Sequence, residues 1–341
     1  MLPCHNQKEG LAAHGHNHTP NRGHTDHDSL KAGPSGSFAS TDCGRGEWAR
    51  HRLGAASHLG LTQTPSTSTY LKIGDSMGVL SISTCMRRVR DDQWERIREH
   101  CPEEHIQENR AGRKPVPARA VLEAVLWILN TGAHWHLLPQ CSPHDKTVHR
   151  RFQQWCEREV LRAILTQLAN TLRDEGAIDE RERVIDAMFA AAKGGGDDIG
   201  NTRRGTGVKI LAIVDRHGLP LSVSTHAANH HEVTVVQLSF GFYMLEAKPE
   251  HLIGDRAYDS DGLDENLKQD GVHLIAPHRS TRKLKTQDGR HLRRSQRRWL
   301  VERFFAWLPW KRRLLIRWEY YATNFLGFVQ LAPITMLLKQ F

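Results

Sequence analysis

The sequence has few cysteines, and their arrangement excludes the usual cysteine-based sites. Its six cysteines, Cys4, Cys43, Cys85, Cys101, Cys141 and Cys156, include no CxxC pair and follow no regular spacing. They favour neither a zinc ribbon nor a disulfide framework, so we expect a reducing compartment. The sequence also lacks the roughly 18 consecutive apolar residues of a membrane span and the apolar segment of a secretory signal. These absences predict a cytoplasmic protein that does not enter a membrane.

Acidic residues are scarce in one strongly basic stretch. Between Arg279 and Arg317 there are fourteen Lys or Arg residues and two acids, Asp288 and Glu302, whereas the whole chain carries a formal charge of only +9. The excess positive charge is therefore local. It favours a polyanionic partner such as nucleic acid. A solvated face that only aids solubility would have the same composition, so the stretch alone leaves both interpretations open.

The first 85 residues differ in composition from the rest of the chain. They are rich in Gly, Ser and Thr, contain eight histidines including the cluster HGHNH, and show little apolar periodicity. Such a composition predicts a disordered leader over residues 1–85. A start codon assigned too far upstream explains it better than a metal-binding tail, although the histidines leave the second interpretation open.

Residues 91–175 show helical periodicity. The stretch RAVLEAVLWILNTG has a broad apolar face and ends at Gly132, and a second helical segment begins near His144. The side of this second segment that we expect to be exposed is basic or polar, and its candidate DNA contacts are Lys146, His149, Arg150 and Arg151. A helix pair with such a face is typical of a helical DNA-binding domain. A plain packing module fits the same pattern.

Residues 180–341 change to short apolar runs separated by turns. The order is three strands, a helix, a strand, a helix, a strand and then a long helix from Ser295 onward. Three antiparallel strands followed by alternating strands and helices predict a mixed sheet with helices on its faces, in the α/β class.

Three acidic residues stand beside apolar neighbours in this second region. Asp186 lies in the first strand, Asp255 follows the fourth, and Glu302 lies in the last helix. A carboxylate in such surroundings is costly unless it is paired or binds a cation. Each could be satisfied locally by an arginine or a backbone amide. If all three converge, they suit phosphoryl transfer with two Mg2+ ions roughly 3.5 to 4 Å apart.

An ordered series of motifs between residues 91 and 341 resembles a known family. The motifs are GAHWHLLP, TVHRRFQQW, VIDAMFAAAKGG, VDRHGLPLSVSTHAANHHE, GDRAYDSDGL and RRWLVERFFAWLPWKRRLLIRWEYYA. This series resembles the DDE transposases of the IS5 family. The resemblance implies a ribonuclease-H-like, mixed five-stranded sheet flanked by helices, preceded by a small helical DNA-binding domain.

The resemblance also assigns roles to residues. It implies that Asp186, Asp255 and Glu302 are the catalytic acids and the ligands of two Mg2+ ions, for which Mn2+ substitutes. Arg298 and Arg303 match the arginines beside the family's glutamate. Where many relatives carry a tyrosine and a lysine seven residues either side of that glutamate, this chain has Ser295 and Pro309. We therefore expect Lys311, Arg312 and Arg313 to supply the positive charge that contacts DNA.

The implied activity is that of an insertion-sequence transposase in a prokaryotic cytoplasm, associated with the nucleoid. Its partners would be the double-stranded DNA of the terminal inverted repeats and of the target. Two ends must be joined together, which implies a homodimer or higher oligomer. A nuclease of the same fold without strand transfer and a catalytically inactive DNA-binding repressor are the alternatives.

Overall fold

The structure, a computed structural model, describes residues 89–106, 111–283 and 289–341, without the side chains at positions 290 and 291. The predicted leader over residues 1–85 lies outside these ranges. Within them, no helix combines the length and apolar character needed to cross a membrane. The helical region consists of α1 (Asp91–Ile97), α2 (Ala118–Thr131), α3 (Asp145–Glu157) and α4 (Val160–Asp174).

Two helix ends in this region follow from backbone conformation. Helix α2 ends at the predicted Gly132, which has φ 70° and donates its N–H to the Ile128 carbonyl. Glycine adopts this left-handed conformation without steric cost. The second helical segment is interrupted, because Glu159 has φ 54° and separates α3 from α4. The sequence pattern predicts a continuous segment here, since no glycine or proline marks the break.

The described part of the chain forms a sheet of seven strands rather than the five that were predicted. They are β1 (Glu182–Ala192), β2 (Gly200–Thr202), β3 (Gly205–Asp215), β4 (Pro220–Ala227), β5 (His251–Ile253), β6 (His273–Ile275) and β7 (Ile316–Arg317). The five main strands lie in the order β4, β3, β1, β5, β6. β1 pairs antiparallel with β3 and parallel with β5. The additional strands are short: β2 pairs with the start of β3, and β7 with the end of β1.

The C-terminal part of the chain is more broken than the sequence predicts. The remaining helices are α5 (Glu232–Phe240), α6 (Asp261–Gln269), α7 (Gly289–Leu292), α8 (Trp299–Trp307) and α9 (Ala322–Leu337). The expected long helix from Ser295 is wrong: α8 has nine residues and is followed by a 3-10 turn that contains Pro309. Proline lacks the N–H that a continuing helix needs and clashes with the preceding turn.

Helix α9 joins the helical region to the sheet. It packs against α2, α3 and α4 of the helical region and against β4 of the sheet. Its residues belong to an apolar cluster that also includes Val125 of α2, Phe152 of α3 and Val223 of β4. The helical region therefore shares its core with the sheet. The division into domains at residues 91–175 and 180–341 stays a prediction.

Two residues of the basic triplet are buried, contrary to their predicted role as DNA contacts. Lys311 is only 3% exposed, and its Nζ donates to Asn130 Oδ1 at 2.7 Å. Arg313 is 5% exposed; its Nε lies 2.7 Å and its Nη2 2.6 Å from Glu319 Oε1. Arg313 Nη1 also donates to the Ala133 carbonyl at 3.1 Å. These two cations fix the C-terminal segment onto the helical region, and of the triplet only Arg312 is exposed.

Neighbouring arginines therefore offer a matched test of this structural role. Arg313→Met should lower the free energy of unfolding by about 3 to 5 kcal/mol, because it leaves the Glu319 carboxylate buried without its partner. Arg312→Met should change it by less than about 0.5 kcal/mol, as is usual for an exposed side chain. Urea denaturation of both variants measures the difference. Equal losses would contradict the assigned role of the buried ion pair.

Candidate active site

The first strand places Asp186 at the centre of the sheet. Asp186 lies opposite Ala212 in the antiparallel β1–β3 pair, and its half-buried carboxylate accepts the Ala187 N–H at 2.8 Å. Because side chains alternate along a strand, Asp186 lies on the same face as Val184. Val184 belongs to the apolar cluster that includes Val301 and Phe304 of α8. Asp186 therefore lies on the side of the sheet that α8 covers.

The second acid is brought beside the first by strand register. In the parallel β1–β5 pair, Val184 lies beside Ile253. Asp186 and Asp255 each come two residues further along their chains, so the same register places them next to each other. Asp255 follows β5 directly and accepts the Ala257 N–H at 2.7 Å, which caps a 3-10 turn over Arg256–Tyr258.

The charge state of Asp186 reflects this arrangement. Burial raises the pKa of Asp186 to about 6; the Ala187 N–H opposes this shift, and the Asp255 charge adds to it. The charge of Arg298 lowers the pKa, and that of Glu232 raises it. Asp186 is thus a carboxylate whose ionisation is opposed both by burial and by neighbouring negative charges.

The environment of Glu302 differs from the buried one that the sequence predicts. It lies on the exposed face of α8 with 55% of its side chain accessible, while the buried face carries Leu300, Val301, Phe304 and Phe305. Arg298 Nη2 lies 3.1 Å from Glu302 Oε1, one helical turn away. The expectation of a buried carboxylate is wrong here, because Glu302 is satisfied locally by an arginine. Arg298 nevertheless connects it to the site, since its charge also acts on Asp186.

The two aspartates fit a hard cation better than the full set of three acids does. Among the described residues, no three His, Cys, Asp or Glu side chains are close enough to hold a metal ion together. Mg2+ commonly uses only one or two carboxylates and keeps several water ligands. A cation between Asp186 and Asp255 would offset both their repulsion and the burial of Asp186. Glu302 could join them only after leaving Arg298.

The candidate DNA contacts of the helical region divide into two groups. Lys146 and Arg150 are exposed on α3. His149 is half-buried, with its ring centroid 4.7 Å from that of Trp135; burial and then Arg313 lower its pKa. Arg151 forms an ion pair with Glu103 at 2.7 Å, and both side chains are largely buried. His149 and Arg151 therefore support the fold, whereas Lys146 and Arg150 are accessible.

Arg303 lies on the exposed side of α8. Its Nη2 donates to the His217 carbonyl at 2.6 Å, and its guanidinium lies 5.1 Å from the centre of the Trp299 ring. These contacts hold Arg303 against the loop between β3 and β4 while leaving it exposed.

Glu232 and Tyr258 were missed as site residues by sequence reasoning. The charge of Glu232, the first residue of α5, raises the pKa of both Asp186 and Tyr258. Glu232 stands in ANHHE, at a position where relatives more often have Asp, so the resemblance assigns it no role. Tyr258 stands in GDRAYDSD, three residues after Asp255, and no sequence signal singled it out.

Comparisons with known proteins identify the family of this chain. Residues 89–165 match the model described as "Putative transposase of IS4/5 family", and residues 178–337 match "Transposase DDE domain". An insertion element IS402 uncharacterized 16.2 kDa protein of Burkholderia cepacia is 32% identical over 104 residues, which cover 30% of this chain and 70% of that protein. The chain therefore belongs to the IS4/5 family of DDE transposases.

Two further relatives match parts of the chain. A putative transposase for IS402 of Burkholderia cepacia is 28% identical over 173 residues, 48% of this chain and 78% of that protein. The uncharacterized protein y4sN of Sinorhizobium fredii is 38% identical over 82 residues, 24% of this chain and 62% of that protein. In the last case the match spans less than two thirds of the relative.

Similar solved structures are also transposases, at low similarity. A piggyBac transposase synaptic complex with hairpin DNA has a TM-score of 0.38 and 11% identity over 73% of each chain. A pre-cleavage Mos1 transpososome has a TM-score of 0.23 and 11% identity, covering 73% of this chain and 86% of that one.

The pKa of Asp186 predicts a pH-dependent stability in metal-free buffer. The native pKa of about 6 exceeds the ordinary value of 3.8, so the native state binds more protons than the unfolded state between these values. Asp186 therefore destabilises the protein progressively as pH rises through this window. Asp186→Asn should raise the free energy of unfolding at pH 7.5 by about 1 to 3 kcal/mol, and by much less near pH 4.

Urea denaturation in EDTA at several pH values measures this difference, with the exposed Asp197→Asn as the control. If the increase in the free energy of unfolding did not grow with pH, the pKa of Asp186 would not be raised in the native state.

Proposed function

We propose that this protein is an insertion-sequence transposase that cleaves DNA at terminal inverted repeats and joins the ends to target DNA. The observation that carries the proposal is the register that sets Asp186 beside Asp255 at the centre of the sheet. The main strand order, three antiparallel strands followed by two parallel ones, supports the finer description of a ribonuclease-H-like core. Membership of the IS4/5 family supports the DDE chemistry.

The proposed chemistry depends on carboxylates that hold divalent cations. Mg2+, or Mn2+ in its place, supplies charge stabilisation at the phosphoryl oxygens and lowers the pKa of a bound oxygen nucleophile; two such ions are proposed. Asp186 and Asp255 would hold the cations at a fixed point in the sheet. Arg298 would exchange Glu302 for a DNA phosphate, which a guanidinium binds through paired charge-assisted hydrogen bonds. Glu302 would then be free to turn toward the two aspartates.

The proposed DNA contacts are the basic residues that remain exposed. They are Lys146 and Arg150 on α3, Arg303 on α8, and Arg312 in the turn that follows it, together with the partly exposed Arg298. Lys146 and Arg150 would contact the inverted repeats, and the arginines near α8 would hold phosphates beside the acids. A homodimer or higher oligomer would bring two ends together, in the cytoplasm and on the nucleoid.

A catalytically inactive DNA-binding repressor is a second candidate. The Arg298–Glu302 ion pair at 3.1 Å favours it, because Glu302 is then absent from the metal ligands. Labelled inverted-repeat ends mixed with a target plasmid separate the possibilities. Joined products support the transposase, cleavage without joining supports a nuclease of the same fold, and a bound but uncut complex supports the repressor.

Conservative changes of the three acids test the assigned chemistry. Asp186→Asn, Asp255→Asn and Glu302→Gln should each lower the rate of end cleavage by at least about 100-fold, equivalent to about 3 kcal/mol of transition-state stabilisation. DNA binding should persist in all three. Glu265→Gln, the same change on the exposed surface of α6, should be neutral. A fully active Glu302→Gln protein would remove Glu302 from the mechanism.

Salt dependence separates the exposed from the buried basic residues. Changing Lys146 and Arg150 together to Gln should reduce the slope of log affinity against log salt by about 0.9 for each DNA phosphate that the protein no longer neutralises. Lys311→Met should lower thermal stability but leave this slope unchanged in the folded protein. Fluorescence anisotropy from 50 to about 300 mM salt measures both. A reduced slope for Lys311→Met alone would reverse the assignment.

A further inference from the structure

Arg279 donates hydrogen bonds to the turn that orients Asp255. The Asp255 carboxylate accepts the Ala257 N–H at 2.7 Å, at the start of the 3-10 turn over Arg256–Tyr258. Arg279 Nε lies 3.1 Å from the Arg256 carbonyl oxygen, and Arg279 Nη2 lies 2.8 Å from the Ala257 carbonyl oxygen. Ala257 therefore links the two side chains, because its N–H is bonded to Asp255 and its carbonyl to Arg279.

A turn of three residues provides little support of its own for Asp255. Within it, the Arg256 carbonyl accepts the Asp259 N–H at 3.4 Å, which is longer than usual for such a bond. The last carbonyls of a helical turn need partners from outside it. Arginine suits this role because its planar guanidinium presents several N–H groups in a fixed geometry, whereas the lysine ammonium is a single point on a flexible stem.

Asp259 in turn holds Arg279 in place. The Asp259 side chain is only 5% exposed, and its Oδ2 accepts the backbone N–H of Arg279 at 2.7 Å. Its Oδ1 lies 2.9 Å from His278 Nδ1 and 2.7 Å from Arg282 Nη1. Three donors thus satisfy this buried carboxylate, as its burial requires. Arg279 is fixed at its backbone by Asp259 and reaches the turn with its guanidinium.

The segment that follows β6 supports the chain on both sides of Asp255. Immediately before Asp255, the Gly254 N–H donates to the Ile275 carbonyl at 3.1 Å. Immediately after it, the turn is bonded to Arg279, four residues beyond Ile275. Because the β1–β5 register sets Asp255 beside Asp186, a displaced turn would move one carboxylate away from the other.

We propose that Arg279 and Asp259 are positioning residues that hold the Asp255 carboxylate in the orientation in which it binds a divalent cation together with Asp186. This inference rests on the proposed function. Neither positioning residue contacts the cation. Asp259 fixes the backbone of Arg279, and the Arg279 guanidinium fixes the turn whose N–H orients Asp255. Such outer partners keep a ligand in its binding geometry and so increase the affinity of the site for its ion.

The sign of one effect separates this role from a purely electrostatic one. A positive charge close to a cation site repels the ion, so removing it should tighten cation binding if charge alone matters. If Arg279 positions Asp255, its removal should weaken cation binding instead.

Titration of the full-length protein with Mn2+ in a calorimeter, without DNA, measures this effect. Arg279→Met should weaken Mn2+ binding by roughly 10- to 100-fold, and Asp259→Ala should change it in the same direction. Arg256→Met is the matched control, because it removes the same charge from an exposed side chain of the same turn. It should leave Mn2+ binding unchanged or slightly tighter. Arg279→Lys keeps the charge but loses the planar geometry, so it should recover little of the affinity.

Amide hydrogen exchange gives a second readout that needs neither metal nor activity. In metal-free protein, Arg279→Met should remove much of the protection of the Ala257 N–H, because the turn opens locally more often. Arg256→Met should leave that protection unchanged. Unchanged protection in Arg279→Met would contradict the proposed support of the turn.

The outcomes distinguish the inference from the function on which it rests. If Asp186→Asn binds Mn2+ as tightly as the unmodified protein does, the cation site of the proposed function fails and this inference fails with it. If Asp186→Asn loses binding while Arg279→Met retains it, only the inference is wrong. Arg282→Met removes one partner of Asp259 but leaves the hydrogen bonds of Arg279, so equal losses of affinity in Arg282→Met and Arg279→Met would show that the segment is only structural. If Arg279→Met does not fold, Arg279→Lys decides, because an unchanged Mn2+ affinity in that variant contradicts the proposal.

Discussion

The site depends on one constraint, the repulsion between two carboxylates that strand register forces together. Among the five main strands, β1 alone has an antiparallel neighbour on one side and a parallel neighbour on the other. Its parallel pairing with β5 sets Asp186 beside Asp255, and partial burial reduces the screening of their charges by water. Neighbouring charges also act on Asp186: that of Arg298 lowers its pKa, and that of Glu232 raises it. The proposed cation between Asp186 and Asp255 would offset this repulsion.

Burial separates the basic residues of the C-terminal segment into those that stabilise the fold and those that are accessible to solvent. Lys311 and Arg313 are adjacent to Arg312 in sequence, yet they point inward and bond to Asn130 and Glu319. Arg312 remains outside. The net charge of the stretch therefore overstates the charge available to a polyanion. The two buried cations instead hold the C-terminal segment against the helical region.

Much of the main sheet could be predicted from the sequence, because apolar runs and turn residues report local structure directly. The positions of Asp186 and Asp255 followed from the same signals, since both stand at strands. Glu302 could not be placed correctly, because whether a helix turns an acid inward depends on tertiary packing rather than on its apolar neighbours. The break at Glu159 and the burial of Arg313 were also missed, since their causes lie in backbone conformation and in distant partners. Tyr258 carried no sequence signal beyond its closeness to Asp255.

The position of α9 has a consequence for the order in which the protein is assembled. The helices and the strand that α9 packs against, from α2 to β4, all precede it in the chain. Both the helical region and the sheet therefore expose apolar surface on the ribosome until α9 has been synthesised. Such surfaces are prone to aggregation during synthesis. One helix thus completes the core that the helical region and the sheet share, so we expect a chain truncated before α9 to lose the packing of both.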